Sequence, residues 1–308
     1  TKLFKSMDTD RRKIIRNLAL TPILLGSHSI IANTGLKTII PKNRVQYSVN
    51  AYAFNAQLRS GEMTFFDMME FAANIGLDAV DLTGYYFATY PEIPTNNELF
   101  ELKRKALDLG LNISWTGVRN DFVNPDVESR NKDKEMIRKW LKVSSSLGAT
   151  IMRIFTGKHD YSGYTKEQVK DWLVEEFKIC ADYGKESGVI VALQHHNEFL
   201  FKSEEIIDII KRVDSEWFGL VLDIGSLPAS NPYDEIEKLA PYANYWFIKE
   251  HVKPNGINKP VDMKQVASII KNDGYQGYIS FESLSDGDPK QIVSSMFDSF
   301  RNEFEKIG

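Results

Sequence analysis

Residues 189–196 read VIVALQHH, and three later segments repeat the plan: GLVLD (219–223), YWFIK (245–249) and GYISFE (277–282). Each is an apolar run that stops on a polar side chain. Short runs rich in Val, Ile, Leu and aromatic residues read as strands buried on both faces, the form strands take in a parallel sheet. Such sheets carry their chemistry at the carboxyl ends of the strands, so Gln194 to His196, Asp223, Lys249 and Glu282 point to one shared mouth. Because side chains alternate along a strand, Gln194 shares a face with His196, and Phe247 shares one with Lys249. His195 has the opposite parity and is expected to pack outside that mouth.

The alternation runs back to Val45. YSVNAYAF, LDAVDLTGYY, LNISWTGV and ATIMRIFTG read as strands, and amphipathic segments between them, such as TFFDMMEFAANIG and KEQVKDWLVEEFKICADYGKESG, read as helices. Gly76, Gly110, Gly148 and Gly188 each follow a helical run directly, at the position where a left-handed residue ends a helix. Strands result at Tyr47, Ala79, Asn112, Ile151, Val189, Gly219, Tyr245 and Tyr278. Alternating with helices over residues 45–308, they predict an α/β fold, a single-domain (β/α)8 TIM barrel. An open, doubly wound sheet is the alternative, and the lack of a Gly-rich dinucleotide loop after the first strand counts against it.

The chain has 308 residues, 43% of them hydrophobic and 26% charged, which suits a folded protein with a sizeable core. A net charge of -4 argues against general affinity for nucleic acid, which needs concentrated Lys and Arg. Cys180 is the only cysteine, so no internal disulfide forms, and its helical, apolar-periodic surroundings predict a buried, inert thiol.

Residues 1–44 differ from the rest. Arg11 and Arg12 lead into KIIRNLALTPILLGSHSIIAN, an apolar run interrupted by Pro22 and Gly26. RRKIIR resembles a twin-arginine export signal, which implies removal of a leader somewhere after Ala32 and a periplasmic or otherwise exported protein. The alternative is a frayed amphipathic helix on a cytoplasmic protein. The run is too short and too broken to remain as a membrane span.

LGATIMRIFTG, GVIVALQHHNEF, GLVLDIGS, YWFIKE and above all DMKQVASIIKNDGYQGYISFES are similar to the matching blocks of the xylose isomerase-like TIM barrels, the sugar phosphate isomerase/epimerase superfamily. The resemblance covers nearly all of the chain from Val45 onward. It implies a divalent metal (Mn, Mg or Zn) held by Glu, Asp, His and Glu on four late strands, with enediol chemistry on sugars. Placed residue by residue, those positions are Gln194, Asp223, Phe247 and Glu282, so two of the four have changed. Gln194 still offers a carbonyl oxygen but no base, and Phe247 offers no ligand. Asp223, Glu282 and Gln194 are therefore the remaining metal candidates, with weak binding or none expected. His196 matches the His that follows the first Glu in many relatives, and His251 substitutes for the lost ligand only if the strand end curls inward.

Glu282 is the expected proton-transfer carboxylate, assisted by Lys249 and His196. Lys249 has a second reading, as the structural ion-pair partner of Glu282 or Asp223. Gln194, Arg153, Trp115, Tyr52 and Trp246 are expected around a carbohydrate, the three aromatics as walls against a sugar ring. KPNGINK (253–259) reads as a solvated turn in preference to a phosphate site. The leading reading is an isomerase or epimerase acting by proton abstraction beside a carbonyl; a β-eliminating keto-sugar lyase and a sugar-binding pseudoenzyme are the alternatives. An apurinic endonuclease shares the barrel but needs several zinc ions, a demand that five histidines meet poorly. Association into a homo-oligomer is left open.

Overall fold

The computed structural model describes residues 44–307 apart from residue 197, so the expected leader (residues 1–44) lies outside the described residues but for its last position. Eight parallel strands close a barrel: β1 (Val45–Val49), β2 (Ala79–Thr83), β3 (Asn112–Gly117), β4 (Ile151–Ile154), β5 (Ile190–Gln194), β6 (Phe218–Asp223), β7 (Ala243–Lys249) and, after a short excursion, β10 (Gly277–Glu282). β10 lies between β7 and β1, which completes the ring. The excursion is an antiparallel ribbon of β8 (His251–Val252) and β9 (Lys259–Pro260). Between its strands KPNGINK forms the expected turn, with Asn255 and Gly256 both at positive φ.

Helices separate the barrel strands as the amphipathic pattern predicts. The two longest, Val127–Leu147 and Lys166–Ser187, end on Gly148 (φ 85°) and Gly188 (φ 66°), whose left-handed backbone lets their N–H groups bond back into the last turn. The second of these helices opens with a capping box between Thr165 and Gln168, satisfying two of its free N–H groups. Cys180 lies fully buried on this helix, and burial pushes its thiol pKa up, as an inert role requires. Among the described residues no helix is long and apolar enough to cross a membrane.

Two apolar regions form. The larger fills the space between strands and helices; the smaller, Trp115, Ile151, Ala192, Val221, Tyr245 and Phe247, plugs the barrel interior. β3 contributes twice to the interior because its pairing with β2 jumps from Val80–Ile113 to Asp81–Trp115, leaving Ser114 as the extra residue of a bulge. Ser114 Oγ hydrogen-bonds the Tyr245 hydroxyl and Ser48 Oγ, both at 2.9 Å, while the Trp115 ring packs 5.3 Å from that of Phe247. This plug is the floor on which the polar strand ends stand.

Candidate active site

Above the floor the ends of β5, β6, β7 and β10 meet. The Gln194 amide donates to Asp223 Oδ2 at 2.7 Å, and the Lys249 ammonium lies 3.4 Å from the same oxygen. Lys249 Nζ also stands 2.8 Å from Glu282 Oε2, which accepts a 2.9 Å bond from the Asn50 amide as well. Asn50 sits just past β1, where its own amide oxygen receives the Tyr52 N–H at 2.7 Å. All of these side chains are buried, Asp223 completely.

Burial alone would neutralise Asp223 and Lys249, but their contacts win. Burial pushes the Asp223 carboxyl up; Lys249, the two neighbouring histidines and the Gln194 bond hold it below the usual carboxylate range. Burial pushes Lys249 down, and the charges of Asp223 and Glu282 outweigh it, so the amine stays an ammonium with a raised pKa. His195 behaves oppositely: burial pushes it down to about 4, so it is neutral, and its Nε2 accepts the backbone N–H of Asp223 at 3.1 Å. That bond fixes the strand end that carries Asp223. His195 is thus buried beside β6 and tied to its backbone.

Two further charged groups point inward. Asp81, fully buried in β2, accepts the Ala51 N–H at 2.9 Å and the Thr83 hydroxyl at 3.0 Å. Its carboxyl is pushed up to about 7, by burial first, with a smaller upward push from the Glu282 charge. Arg153 on β4 is buried beneath the Phe155 ring, 3.9 Å away, and donates to the Val118 carbonyl at 3.0 Å and the Tyr85 hydroxyl at 3.3 Å. Among the described residues no carboxylate oxygen comes within ion-pair distance of it. Gly117 makes room for the Trp115 ring first and then for this guanidinium, since a Cβ there would overlap that ring and stand 3.0 Å from the Arg153 Nε.

The buried cluster opens on a cavity of about 430 Å³ at the carboxyl ends of the strands. Lys249 and Gly225 belong to its lining, along with His196, Ser226, His251, Lys253, Asn258 and Asp286. Most of these groups donate or accept hydrogen bonds, a lining suited to a polyhydroxylated molecule.

The sequence of the xylose isomerase-like TIM barrel family matches residues 69–303, most of the chain. This chain belongs to that family. Solved structures share its fold: D-psicose 3-epimerase from Clostridium cellulolyticum H10, solved with D-tagatose, has a TM-score of 0.69 at 16% identity, covering 84% of this chain and 99% of that one. The 3-keto-D-glucoside 4-epimerase YcjR from E. coli has a TM-score of 0.68 at 13% identity, covering 84% and 100%. An uncharacterized protein of Methanocaldococcus jannaschii, MJ1311, is 29% identical over 122 residues, 36% of this chain and 41% of that relative. The match thus spans about two fifths of that curated relative's length.

The family resemblance calls for a metal at Gln194, Asp223, Phe247 and Glu282, and the residues do not fit one. Phe247 packs into the apolar floor, and Gln194 turns an N–H toward Asp223, since a carboxylate can only accept. Lys249 fills the gap between the two carboxylates. No group of three or more His, Cys, Asp or Glu suited to a metal occurs among the described residues.

The xylose isomerase-like barrel therefore brings Glu282, Lys249, Gln194 and Asp223 together, with Arg153 buried nearby and His196 on the cavity wall. His251 also reaches that wall, on the ribbon. Tyr52 stands half-buried just past β1, at the mouth end. Two expected sugar walls are corrected. Trp246 has the opposite parity to Phe247 and Lys249 and packs outside the barrel against Tyr275, 6.1 Å between rings. Trp115 is wholly buried in the floor, with no exposed face to offer a sugar. Sequence reasoning missed Asn50, Asp81, Tyr85 and Phe155. Asn50 and Phe155 each follow a strand end directly, Tyr85 comes two residues after one, and Asp81 is a lone charge at inward parity in AVDLT, so each carried a readable signal.

Proposed function

We propose that this protein is a sugar isomerase or epimerase that moves a proton on the carbon beside a carbonyl of a free sugar or keto-sugar. One observation carries the reading: a buried carboxylate, Glu282, lies 2.8 Å from a buried ammonium, Lys249, and Lys249 lines a polar cavity at the strand ends. Removing a proton next to a carbonyl leaves negative charge on the carbonyl oxygen, and a fixed cation in a dry site stabilises that charge most effectively. An ammonium has three N–H donors and the two carboxylates account for two, so Lys249 can serve a substrate oxygen while holding both. Glu282 takes and returns the proton, and His196, on the cavity wall, is placed to act as the second proton carrier. The structural likeness to D-psicose 3-epimerase and 3-keto-D-glucoside 4-epimerase supports sugars as the substrate class.

Gln194 favours a second reading. With an amide where the resemblance implies a carboxylate, the base opposing Glu282 is lost, and β-elimination from a keto-sugar needs only one base and one acid. Both reactions begin with the same proton abstraction. Incubation of ketohexoses and 3-keto-glucosides in D2O, followed by NMR, should show deuterium entering beside the carbonyl. Glu282→Gln should slow that exchange by about a hundred- to ten-thousand-fold while sugar affinity stays within a few-fold. An unsaturated product would favour elimination. Tight binding without any exchange would remove catalysis from the reading.

A further inference from the structure

The site holds two buried carboxylates and one ammonium between them. Lys249 Nζ reaches Glu282 Oε2 at 2.8 Å and Asp223 Oδ2 at 3.4 Å, and each of those oxygens also accepts an amide N–H, from Asn50 at 2.9 Å and Gln194 at 2.7 Å. Every donor around the two oxygens is therefore an N–H, where a divalent ion would need lone pairs. The neighbours are shaped for the lysine. Gly225 has no Cβ, and one built there would stand 2.8 Å from Lys249 Cγ, so the glycine reserves the path of the methylene stem. Phe247, two residues earlier on the same face, lays its ring 5.7 Å from Nζ, an arrangement that favours a cation.

We propose that Lys249, the lysine the resemblance retains from His-x-Lys, is the resident cation of this site, and that with Phe247 and Gln194 in place of two metal ligands the wild-type protein excludes divalent metal because the ammonium alone balances Asp223 and Glu282. Asp223, Glu282, Gln194, Asn50, Phe247 and Gly225 form the socket. The proposal concerns the charge balance of the site and not the reaction, so it is decided by binding alone. Removing the ammonium leaves Asp223 and Glu282 as adjacent buried carboxylates, and such a pair is relieved by binding a cation or a proton.

The test uses the full chain, treated with chelator and titrated with Mn²⁺, with free Mn²⁺ followed by electron paramagnetic resonance and unfolding temperature measured in parallel. Wild type should show no stoichiometric uptake and no Mn²⁺-dependent rise in unfolding temperature. Lys249→Met should bind Mn²⁺ at least roughly tenfold more tightly than wild type and be stabilised by it, because two carboxylates then face one another without a counter-charge. Adding Asp223→Asn to that variant should abolish the gain. Gln194→Glu, which retains Lys249, tests the same point if Lys249→Met does not fold: with the ammonium in place it should still take up no equivalent of Mn²⁺. One equivalent of Mn²⁺ retained by wild type, stoichiometric binding by Gln194→Glu alone, or a folded Lys249→Met that binds no better than wild type would each overturn the proposal.

Discussion

Asp81 shows how a single buried side chain writes itself into the pH dependence of the fold. Its carboxyl is pushed up to about 7, chiefly by burial, whereas an Asp in an unfolded chain titrates near 4. Between about 4 and about 7 the folded protein holds a proton that the unfolded chain has lost. The resulting stability is complete below the unfolded value and disappears as the pH rises through the folded one. Asp81→Asn cannot lose that proton, so its stability relative to wild type should increase with pH across the window, at up to about 1.4 kcal/mol per pH unit. His195, pushed down to about 4, works in the other direction up to pH 6.5, gaining stability as the pH rises, but it is present in both proteins and cancels in the difference. Urea unfolding at several pH values supplies the comparison. A difference that does not change with pH would mean that Asp81 is ionised throughout. Strand parity puts Asp81 on the inward face, but no feature of the sequence reveals that Glu282, two strands away on β10, adds to the upward push of burial on its pKa.

Along individual strands the alternation of side chains was the most legible feature and also the most easily misapplied. It correctly set Phe247 and Lys249 on one face. The same rule puts Trp246 outside the barrel, against helices, where its size serves packing. Trp115 is different: the bulge at Ser114 brings consecutive residues inward, and a one-residue irregularity set by pairing with a neighbouring strand leaves no mark in the periodicity of either strand. These placements separate two kinds of tryptophan variant from a true substrate contact. Trp246→Ala removes a fully buried indole from the outer core and should cost about 3–5 kcal/mol of stability, the usual range for emptying such a site. Its folded fraction should bind sugar as wild type does. A selective loss of sugar affinity at unchanged unfolding midpoint would return Trp246 to the binding surface.

At the scale of the molecule, the barrel was legible because its signals are local: strand and helix periods, and glycines placed to end helices. The active cluster is assembled from distant parts of the chain. Asn50 meets Glu282 across 232 residues and Gln194 meets Asp223 across 29, contacts that exist only once the ring closes. Sequence could name the strand ends and offer Lys249 an ion pair with Glu282 or Asp223, but not show that it bridges both carboxylates. The N-terminal segment raises a separate question, since residues 1–43 are outside the described residues. We propose that it is an export leader, on the strength of Arg11 and Arg12 ahead of an interrupted apolar run too short to remain as a membrane span. Replacing both arginines by lysine preserves charge while removing the paired guanidinium groups that the twin-arginine signature requires. The double variant should accumulate in the cytoplasm with its N-terminus intact, whereas wild type should be recovered outside the cytoplasm and shortened. Cell fractionation with N-terminal sequencing distinguishes the two, and equal extracytoplasmic recovery of both proteins would rule out the twin-arginine route.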